Sequence, residues 1–261
     1  MNKYTHNGCI YFLIDFMQGF ILLDKPKGIT SHDVVDHLRR ITGVKKIGHS
    51  GTLDPLATGL LLVAIGREYT KKLQSLIAKD KKYKAEIIFG INSTTYDREG
   101  ELSFCRHNFS LTSSDIENAL SKFKGDILQR PPIFSAKKIK GRKMYELARK
   151  NQTIDIEPVK VHVYNLSIES YDNLPFDYYA YHKYALEDLP KVYLDIHVSS
   201  GTYIRSIAHD LGDELGCGAI LGSLRRYAIG EFDVTSAVKL YDLNAENISE
   251  HLTDIDVQGR M

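Results

Sequence analysis

The chain has 261 residues, of which 43% are apolar and 26% are charged, a balance typical of a globular protein with a buried core. No run approaches eighteen consecutive apolar residues, so the sequence predicts no membrane span. Three scattered cysteines, Cys9, Cys105 and Cys217, disfavour a disulfide framework and a zinc site and favour a reducing, cytoplasmic compartment. Residues 1–16 lack the pattern of a signal peptide, and we interpret them as an N-terminal extension.

The net charge of +1 conceals a segregated distribution. Basic residues crowd the segments 79–84 and 137–150, whereas acidic residues outnumber basic ones from Glu231 onward. Such segregation can give a near-neutral protein a basic face suited to phosphate groups. The alternative, that these lysines only solvate surface helices, stays equally open. The basic residues concerned are Lys79, Lys81, Lys82, Lys84, Lys137, Lys138, Lys140, Arg142, Lys143, Arg149 and Lys150.

Apolar runs and alternating patterns predict strands, and apolar positions three or four residues apart predict helices. In chain order, strands are predicted at 19–23, 60–65, 83–89, 159–163, 192–198 and 224–232. Four helices are predicted. The first contains Val34, Leu38 and Ile41 after a cap at Thr30 or Ser31, and the second contains Leu73, Leu76 and Ile77. The third contains Ile116, Leu120 and Phe123 after a Ser114–Glu117 capping box, and the fourth contains Ile207, Leu211 and Leu215 before Gly216. The Tyr-rich segment 171–189 reads as an excursion from the sheet. One α/β domain with a mixed sheet is the simplest interpretation.

The stretch GHSGTLDPLATGLL, residues 48–61, surrounds one carboxylate, Asp54, with three glycines and a proline directly before a buried strand. An ordinary solvent-exposed loop does not need this arrangement, which favours a positioned side chain. The alternative is a turn-forming Asp bonded to its own backbone. A buried carboxylate needs a cation or several donors to remain ionised, and Arg205, at a strand-to-helix junction, is a candidate.

The usual cofactor motifs are missing from the sequence. GCGAILG (216–222) does not have the glycine spacing of a dinucleotide site, no phosphate-binding GK[ST] loop follows a strand, and the ten histidines are spread singly. We therefore expect neither a cofactor nor a metal. Taken alone, Arg205 is more simply a surface helix residue, and Tyr83 and Tyr203 are more simply half-buried aromatics of the sheet.

Five blocks together resemble the TruB family of tRNA pseudouridine synthases, in the family's order and over roughly residues 19–240. They are KPKGITS (25–31), GHSGTLDPLATGLL (48–61), KKYKAEIIFG (81–90), RPPIFSAKKIKGRKMYELARK (130–150) and SSGTYIRSIAHDLGDELGCGAILGSLRR (199–226). The match is closer to bacterial members than to archaeal and eukaryotic relatives that work with guide RNAs. In STTYDREG (93–100), Asp97 is kept, but Thr94 stands where the family often has an Asp, so no role is predicted for an acid there.

The resemblance implies an α/β (α+β) pseudouridine synthase fold, with a mixed, largely antiparallel sheet flanked by helices and an active cleft across the sheet. We expect the catalytic domain to span 17–240, after the extension 1–16. Residues 241–261 are expected to be a short acidic remnant, with no complete accessory RNA-binding domain. The implied partner is the T stem-loop of tRNA, with no membrane and no obligate protein partner, and we expect a monomer.

The activity implied by the resemblance is cofactor-free isomerisation of uridine to pseudouridine at position 55 of tRNA, after the base is flipped out. Asp54 would be the nucleophile, paired with Arg205, while Tyr83 would stack on the flipped base. His49 would fill the space left by that base, and Tyr203 and Leu224 would line the pocket. Lys25, Pro26 and the basic segments would support the loop or contact the RNA backbone, in which case they would position the RNA without reading its sequence. Two alternatives are an idle RNA-binding or RNA-chaperone protein on the same fold and a hydrolase that uses Asp54.

Overall fold

The computed structural model describes residues 17–134, 138–139, 142–143 and 156–255. The chain divides into two compact units, one drawn from the residues up to Lys81 and from Arg225 onward, the other formed by Lys82–Leu224. This division does not test the domain bounds predicted from the sequence, which stay a prediction.

The described residues form sixteen strands and four α-helices. In chain order these are β1 Gly19–Lys25, α1 Ser31–Thr42, β2 Ile47–His49, β3 Thr58–Ile65, α2 Arg67–Ile77, β4 Lys81–Phe89, β5 Ile91–Ser93, β6 Leu102–Phe104, β7 Phe109–Leu111, α3 Ser113–Ser121, β8 Gly125–Gln129, β9 Lys138–Ile139, β10 Arg142–Lys143, β11 Val159–Asp172, β12 Phe176–Tyr178, β13 Lys191–Val198, α4 Ile204–Glu214, β14 Ala219–Ile229, β15 Phe232–Asp233 and β16 Val238–Lys239. Short 3-10 turns follow at Val234–Ser236, Leu240–Asp242 and Ile248–His251.

In the first unit the strand order is β16-β1-β3-β14, the last strand contributing its final residues. Strand β3 runs antiparallel to β1 and β2 and parallel to β14, and β1 runs parallel to β16. In the second unit the order is β14-β4-β13-β11-β8, with β11 antiparallel to both β13 and β8. The sheet is therefore mixed and largely antiparallel, which confirms the predicted fold class.

Strand β3 is buried on both faces, which explains its unbroken apolar sequence. Its residues Leu61, Val63 and Ile65 pack in one core with Val34 and Leu38 of α1. Alternate residues Leu60, Leu62 and Ala64 pack in a second core with Leu73 and Leu76 of α2. The strand is consequently a rigid element for the loop that enters it at Thr58.

The capping box predicted for α3 was wrong by two residues. Thr112, not Ser114, is the N-cap: its hydroxyl accepts from the Asp115 amide, and the Asp115 carboxylate accepts from the Thr112 amide. Both spacings satisfy the pattern in sequence, and the earlier one prevails because the chain leaves β7 at Leu111 and turns at once. Helix α3 ends at Ser121, so Phe123 lies beyond it. In α1 the cap is Thr30, one of the two predicted candidates.

Two predicted strands exist, but one was predicted too short and the other was predicted to begin and end too late. Strand β11 continues from Val159 to Asp172, so the first two residues of the predicted excursion belong to it. The rest of that segment leaves the main sheet, and β12 pairs with β7 in a separate two-stranded sheet. The last predicted strand begins earlier, at Ala219, and ends at Ile229, because the chain reverses at Gly230 with a φ of +53°.

Candidate active site

Asp54 begins a tight turn directly before β3. The amide of Ala57 donates to the Asp54 carbonyl at 3.0 Å, with Pro55 in the second position of the turn, where its fixed φ is favoured. The residue is half-buried, and its two flanking residues differ: Leu53 is buried and Pro55 is half-buried. The turn fixes the path of the main chain between Asp54 and β3.

The backbone around Asp54 is hydrogen-bonded to other parts of the first unit. The Ser31 hydroxyl accepts from the Leu53 amide at 2.8 Å and donates to the Leu53 carbonyl at 3.1 Å. The Pro55 carbonyl accepts from the Gly28 amide at 2.8 Å. Since bonds lie on both sides of Asp54, its main chain has little freedom to shift.

A buried arginine, Arg226, holds the two ends of the same loop. Its side chain is about 1% exposed, with Nε donating to the Leu60 carbonyl at 2.8 Å and one terminal nitrogen donating to the Gly51 carbonyl at 3.1 Å. Gly59 has a φ of +101°, and a Cβ there would lie 2.2 Å from the Arg226 carbonyl oxygen. Only glycine fits at that position, because the β14 backbone passes directly against it.

Lys25 and Pro26 shape the neighbouring loop. The Lys25 ammonium is buried and donates to the carbonyls of Pro26 at 2.9 Å and Ile29 at 2.7 Å. These bonds fold the segment 25–29 on itself, and its Gly28 amide is the one that meets Pro55. The geometry thus gives Lys25 a part in shaping the loop beside Asp54.

His49 ends β2 and is half-buried, with Nδ1 accepting from the Gly51 amide at 3.4 Å. Burial, and next the nearby Arg226 guanidinium, lower the pKa of His49 below its usual value of 6.5. The neutral form of the imidazole therefore predominates at pH 7.

In the second unit, Arg205 is a buried residue of α4 and not the surface residue of the simpler interpretation. It is about 5% exposed and donates to the carbonyls of Thr95 and Phe134, each at 3.0 Å. One of its terminal nitrogens also lies 3.4 Å from the Asp97 carboxylate, which is itself about 2% exposed. These contacts with two other segments fix the guanidinium in place.

Tyr203 precedes α4 and is held through its backbone. The Gln129 side chain is fully buried, accepts from the Tyr203 amide at 2.7 Å and donates to the Tyr203 carbonyl at 3.0 Å. Tyr203 itself is half-buried, whereas Tyr83 of β4 and Leu224 of β14 are buried.

The predicted residues thus fall into two groups. The first unit contains Lys25, Pro26, His49 and Asp54, and the second contains Tyr83, Tyr203, Arg205 and Leu224. Four supporting residues were not identified from the sequence, namely Ser31, Asp97, Gln129 and Arg226. Ser31, Asp97 and Arg226 lie within motifs compared with the family, and Gln129 directly precedes one, so position in a motif was the available signal.

The first basic segment is mostly engaged within the protein. Lys79 pairs with Glu231 at 2.6 Å, and Lys84 pairs with Glu169 and Asp195. Lys81 is buried and donates to the Ile77 carbonyl at 2.6 Å; burial lowers the pKa of its ammonium to about 8. These contacts favour a structural role for the segment. In the second basic segment, the side chains of Lys137, Lys138, Lys140, Arg142, Lys143, Arg149 and Lys150 lie outside the described residues.

Within the described residues, no three His, Cys, Asp or Glu side chains converge in a group that could hold a metal ion. The two cysteines in this part of the chain, Cys105 and Cys217, are buried free thiols, and burial raises the pKa of Cys217 to about 12. Helices long and apolar enough to cross a membrane are also missing from the part of the chain that the structure describes.

Comparison with known proteins gives matches over most of the chain. Residues 39–204 match the model of the N-terminal domain of the TruB family pseudouridylate synthases, and residues 205–256 match the C-terminal domain of tRNA pseudouridylate synthase B. The tRNA pseudouridine synthase B of Solibacter usitatus is 45% identical over 238 residues, which cover 91% of this chain and 75% of that protein. That of Aquifex aeolicus is 41% identical over 246 residues, covering 94% and 80%.

Solved structures show the same fold. A chain in the crystal structure of a Cbf5-Nop10-Gar1 complex superimposes with a TM-score of 0.61 at 29% identity, covering 90% of this chain and 55% of that one. A chain in the structure of an H/ACA RNP bound to a substrate RNA containing 2'-deoxyuridine gives a TM-score of 0.61 at 27% identity, covering 90% and 54%. This chain therefore spans little more than half the length of those proteins.

Proposed function

The chain belongs to the TruB family of pseudouridylate synthases, and we propose that it converts uridine to pseudouridine at position 55, in the T loop of tRNA. The reaction class is isomerisation, as in the tRNA pseudouridine synthase B relatives. We further propose that Asp54 is the nucleophile, that no cofactor is needed, and that the protein acts as a monomer in the cytoplasm.

The reaction conserves every atom of the substrate. The bond from C1′ to N1 breaks, the base turns, C5 bonds to C1′, the C5 proton leaves and N1 gains a proton. No oxidant, reductant or group donor is required by that balance. Because a stacked base cannot turn, the uridine must first leave its stack at a cost of a few kcal/mol.

The observation that carries the proposal is the immobilised loop around Asp54. Nucleophilic catalysis needs the attacking oxygen held close to the reacting carbon, and positioning of this kind can supply a large part of a rate enhancement. The backbone bonds of Leu53 and Pro55 fix the main chain on either side of the carboxylate.

For the other predicted residues we propose the roles that the resemblance to the family implies. Tyr83 stacks on the flipped base near the C5 proton, and Tyr203 and Leu224 line its pocket. His49, predominantly neutral at pH 7, fills the space that the base leaves. The pairing of Arg205 with Asp54 stays a prediction. Lys25 and Pro26 support the loop.

The experiment is incubation of the protein with an unmodified tRNA transcript, followed by mapping of pseudouridine at single-nucleotide resolution. No metal or nucleotide is added, and a transcript with cytidine at position 55 is the control. We expect one pseudouridine, at position 55, and none in the control. Modification elsewhere would contradict the T-loop assignment. Tight binding without conversion would support the idle RNA-binding alternative.

A further inference from the structure

Ser31 places one buried hydroxyl against the residue that precedes Asp54. Its side chain is about 1% exposed, and its oxygen makes both backbone hydrogen bonds of Leu53, at 2.8 Å to the amide and 3.1 Å to the carbonyl. A hydroxyl can donate one proton and accept through its lone pairs, so this single group satisfies both polar atoms. Leu53 is itself buried, so water is not at hand to replace the hydroxyl.

The position of Ser31 is itself well defined. Ser31 is the first residue of α1, directly after the N-cap Thr30, whose hydroxyl accepts from the Asp33 amide at 3.1 Å while the Asp33 carboxylate accepts from the Thr30 amide at 2.7 Å. The helix then packs into the core through Val34 and Leu38. The start of α1 thus holds the Ser31 hydroxyl in a defined position against Leu53 of the Asp54 loop, 22 positions further along the chain.

We propose that Ser31 is a positioning residue for Asp54, acting through the backbone of Leu53. The proposal rests on the proposed function, since it assigns Ser31 to the same site. Ser31 need not touch the substrate. Without its hydroxyl, the peptide units before Asp54 lose their anchor, while the Pro55 carbonyl keeps its bond to the Gly28 amide, and the carboxylate departs from the geometry needed for attack.

The chain offers a matched control in Thr42, at the other end of α1. Its hydroxyl is also buried, accepts from the Val44 amide at 3.1 Å and donates to the Leu38 carbonyl at 2.7 Å. Thr42→Val therefore removes a comparable pair of hydrogen bonds, one accepted from an amide and one donated to a carbonyl, on residues that do not belong to the Asp54 loop. A general effect on stability would appear in both variants, and an effect on positioning only in Ser31→Ala.

The test is the single-turnover rate of pseudouridine formation and the Kd for tRNA in wild type, Ser31→Ala, Ser31→Thr and Thr42→Val. We expect Ser31→Ala to lower the rate about 10- to 100-fold with a Kd within about threefold, since displacement of a reacting group by about 1 Å can cost that much. Ser31→Thr, which retains the hydroxyl, should recover most of the rate, and Thr42→Val should stay within about twofold of wild type.

A second measurement does not depend on turnover. Hydrogen exchange at the Leu53 amide should become faster in Ser31→Ala and stay unchanged in Thr42→Val. If the rate and the Leu53 exchange of Ser31→Ala match those of wild type, or if Thr42→Val slows turnover equally, the positioning role is wrong while the proposed function stands. If wild type itself forms no pseudouridine, both are wrong.

Discussion

The loop that carries Asp54 and the segment that leads to Arg205 are both held by side chain–backbone hydrogen bonds, but these bonds lie at different distances from the functional side chain. In each, a buried polar side chain satisfies the amide and the carbonyl of one residue: Ser31 for Leu53, and Gln129 for Tyr203. Leu53 adjoins Asp54, whereas Tyr203 is two residues from Arg205, whose guanidinium has three further contacts of its own. The hydrogen bonds described above fix the backbone beside the Asp54 carboxylate, whereas those at Arg205 involve the guanidinium itself.

This difference predicts that the Asp54 loop and the Arg205 segment tolerate the loss of hydrogen bonds unequally. A loop whose geometry depends on a few backbone bonds should lose function when one is removed. A guanidinium held directly by Thr95, Phe134 and Asp97 should survive loss of the Gln129 bonds but not loss of its own charge.

The largest effect in the second unit is therefore expected for Arg205→Met. This change leaves the buried Asp97 carboxylate without the Arg205 cation and removes the donor to two carbonyls, which typically costs about 3–5 kcal/mol. Turnover should fall to near background, and urea unfolding should show the loss of stability. The double variant Arg205→Met with Asp97→Asn should lose less stability than the sum of the single variants. Additive losses would contradict a direct interaction of the pair.

Gln129→Met should have an intermediate effect. It removes both hydrogen bonds to Tyr203: the Tyr203 amide loses its Gln129 acceptor, at about 1–3 kcal/mol before relaxation, while the Tyr203 carbonyl still accepts from the Ile207 amide at 3.3 Å. Turnover should fall by less than in Ser31→Ala, because Arg205 keeps its own three contacts. The two variants are compared by urea unfolding and single-turnover rate on the same tRNA. A larger loss of turnover in Gln129→Met than in Ser31→Ala would contradict the claim that the Asp54 loop depends more on its backbone hydrogen bonds.

A smaller effect is expected in how the free energy of unfolding depends on pH, through His49. Because the pKa of His49 is lowered in the folded protein, the unfolded chain takes up a proton first as pH falls below about 6.5. The free energy of unfolding should therefore decrease as pH falls from that point through the folded pKa, and show no contribution from His49 above it. An imidazole titration followed by NMR should have its midpoint below 6.5. His49→Gln should flatten the dependence; an unchanged slope would exclude His49 as its source.

The smallest effect is expected for Ser50→Ala, in the same loop. The Ser50 side chain is fully buried, and within the described residues its hydroxyl has no hydrogen-bond partner. Its removal should change stability by no more than about 0.5 kcal/mol or increase it slightly, and turnover should stay within about twofold. Ser31→Ala and Ser50→Ala thus compare two buried serines that differ in their bonds. Equal losses of turnover would show that the loop tolerates no change at all, whatever its hydrogen bonds.

The sequence predicted those features that local pattern determines. The apolar run of β3, the spacing of Val34 and Leu38, and the turn at Pro55 each follow from neighbouring residues. The α3 cap was misplaced because two overlapping spacings satisfy the same rule, and only the end of β7 decides between them.

The supporting contacts of the site could not be predicted in the same way. Ser31 meets Leu53 across 22 positions, and Arg226 meets Gly51 across 175, so both pairs exist only once the chain has folded. Composition and periodicity contain no record of such pairings. The motifs drew attention to Asp54 and Arg205, but the residues that hold them emerged from hydrogen-bond geometry.

The role of Asp54 is tested most directly by Asp54→Asn, which keeps the shape of the side chain but removes the anionic nucleophile. Single-turnover pseudouridine formation and tRNA affinity should be measured on the same preparation. We expect formation at background level with a Kd within about tenfold of wild type, or roughly 1.4 kcal/mol, because binding does not depend on the attacking charge. Turnover close to that of wild type would contradict the assignment of Asp54 as the nucleophile.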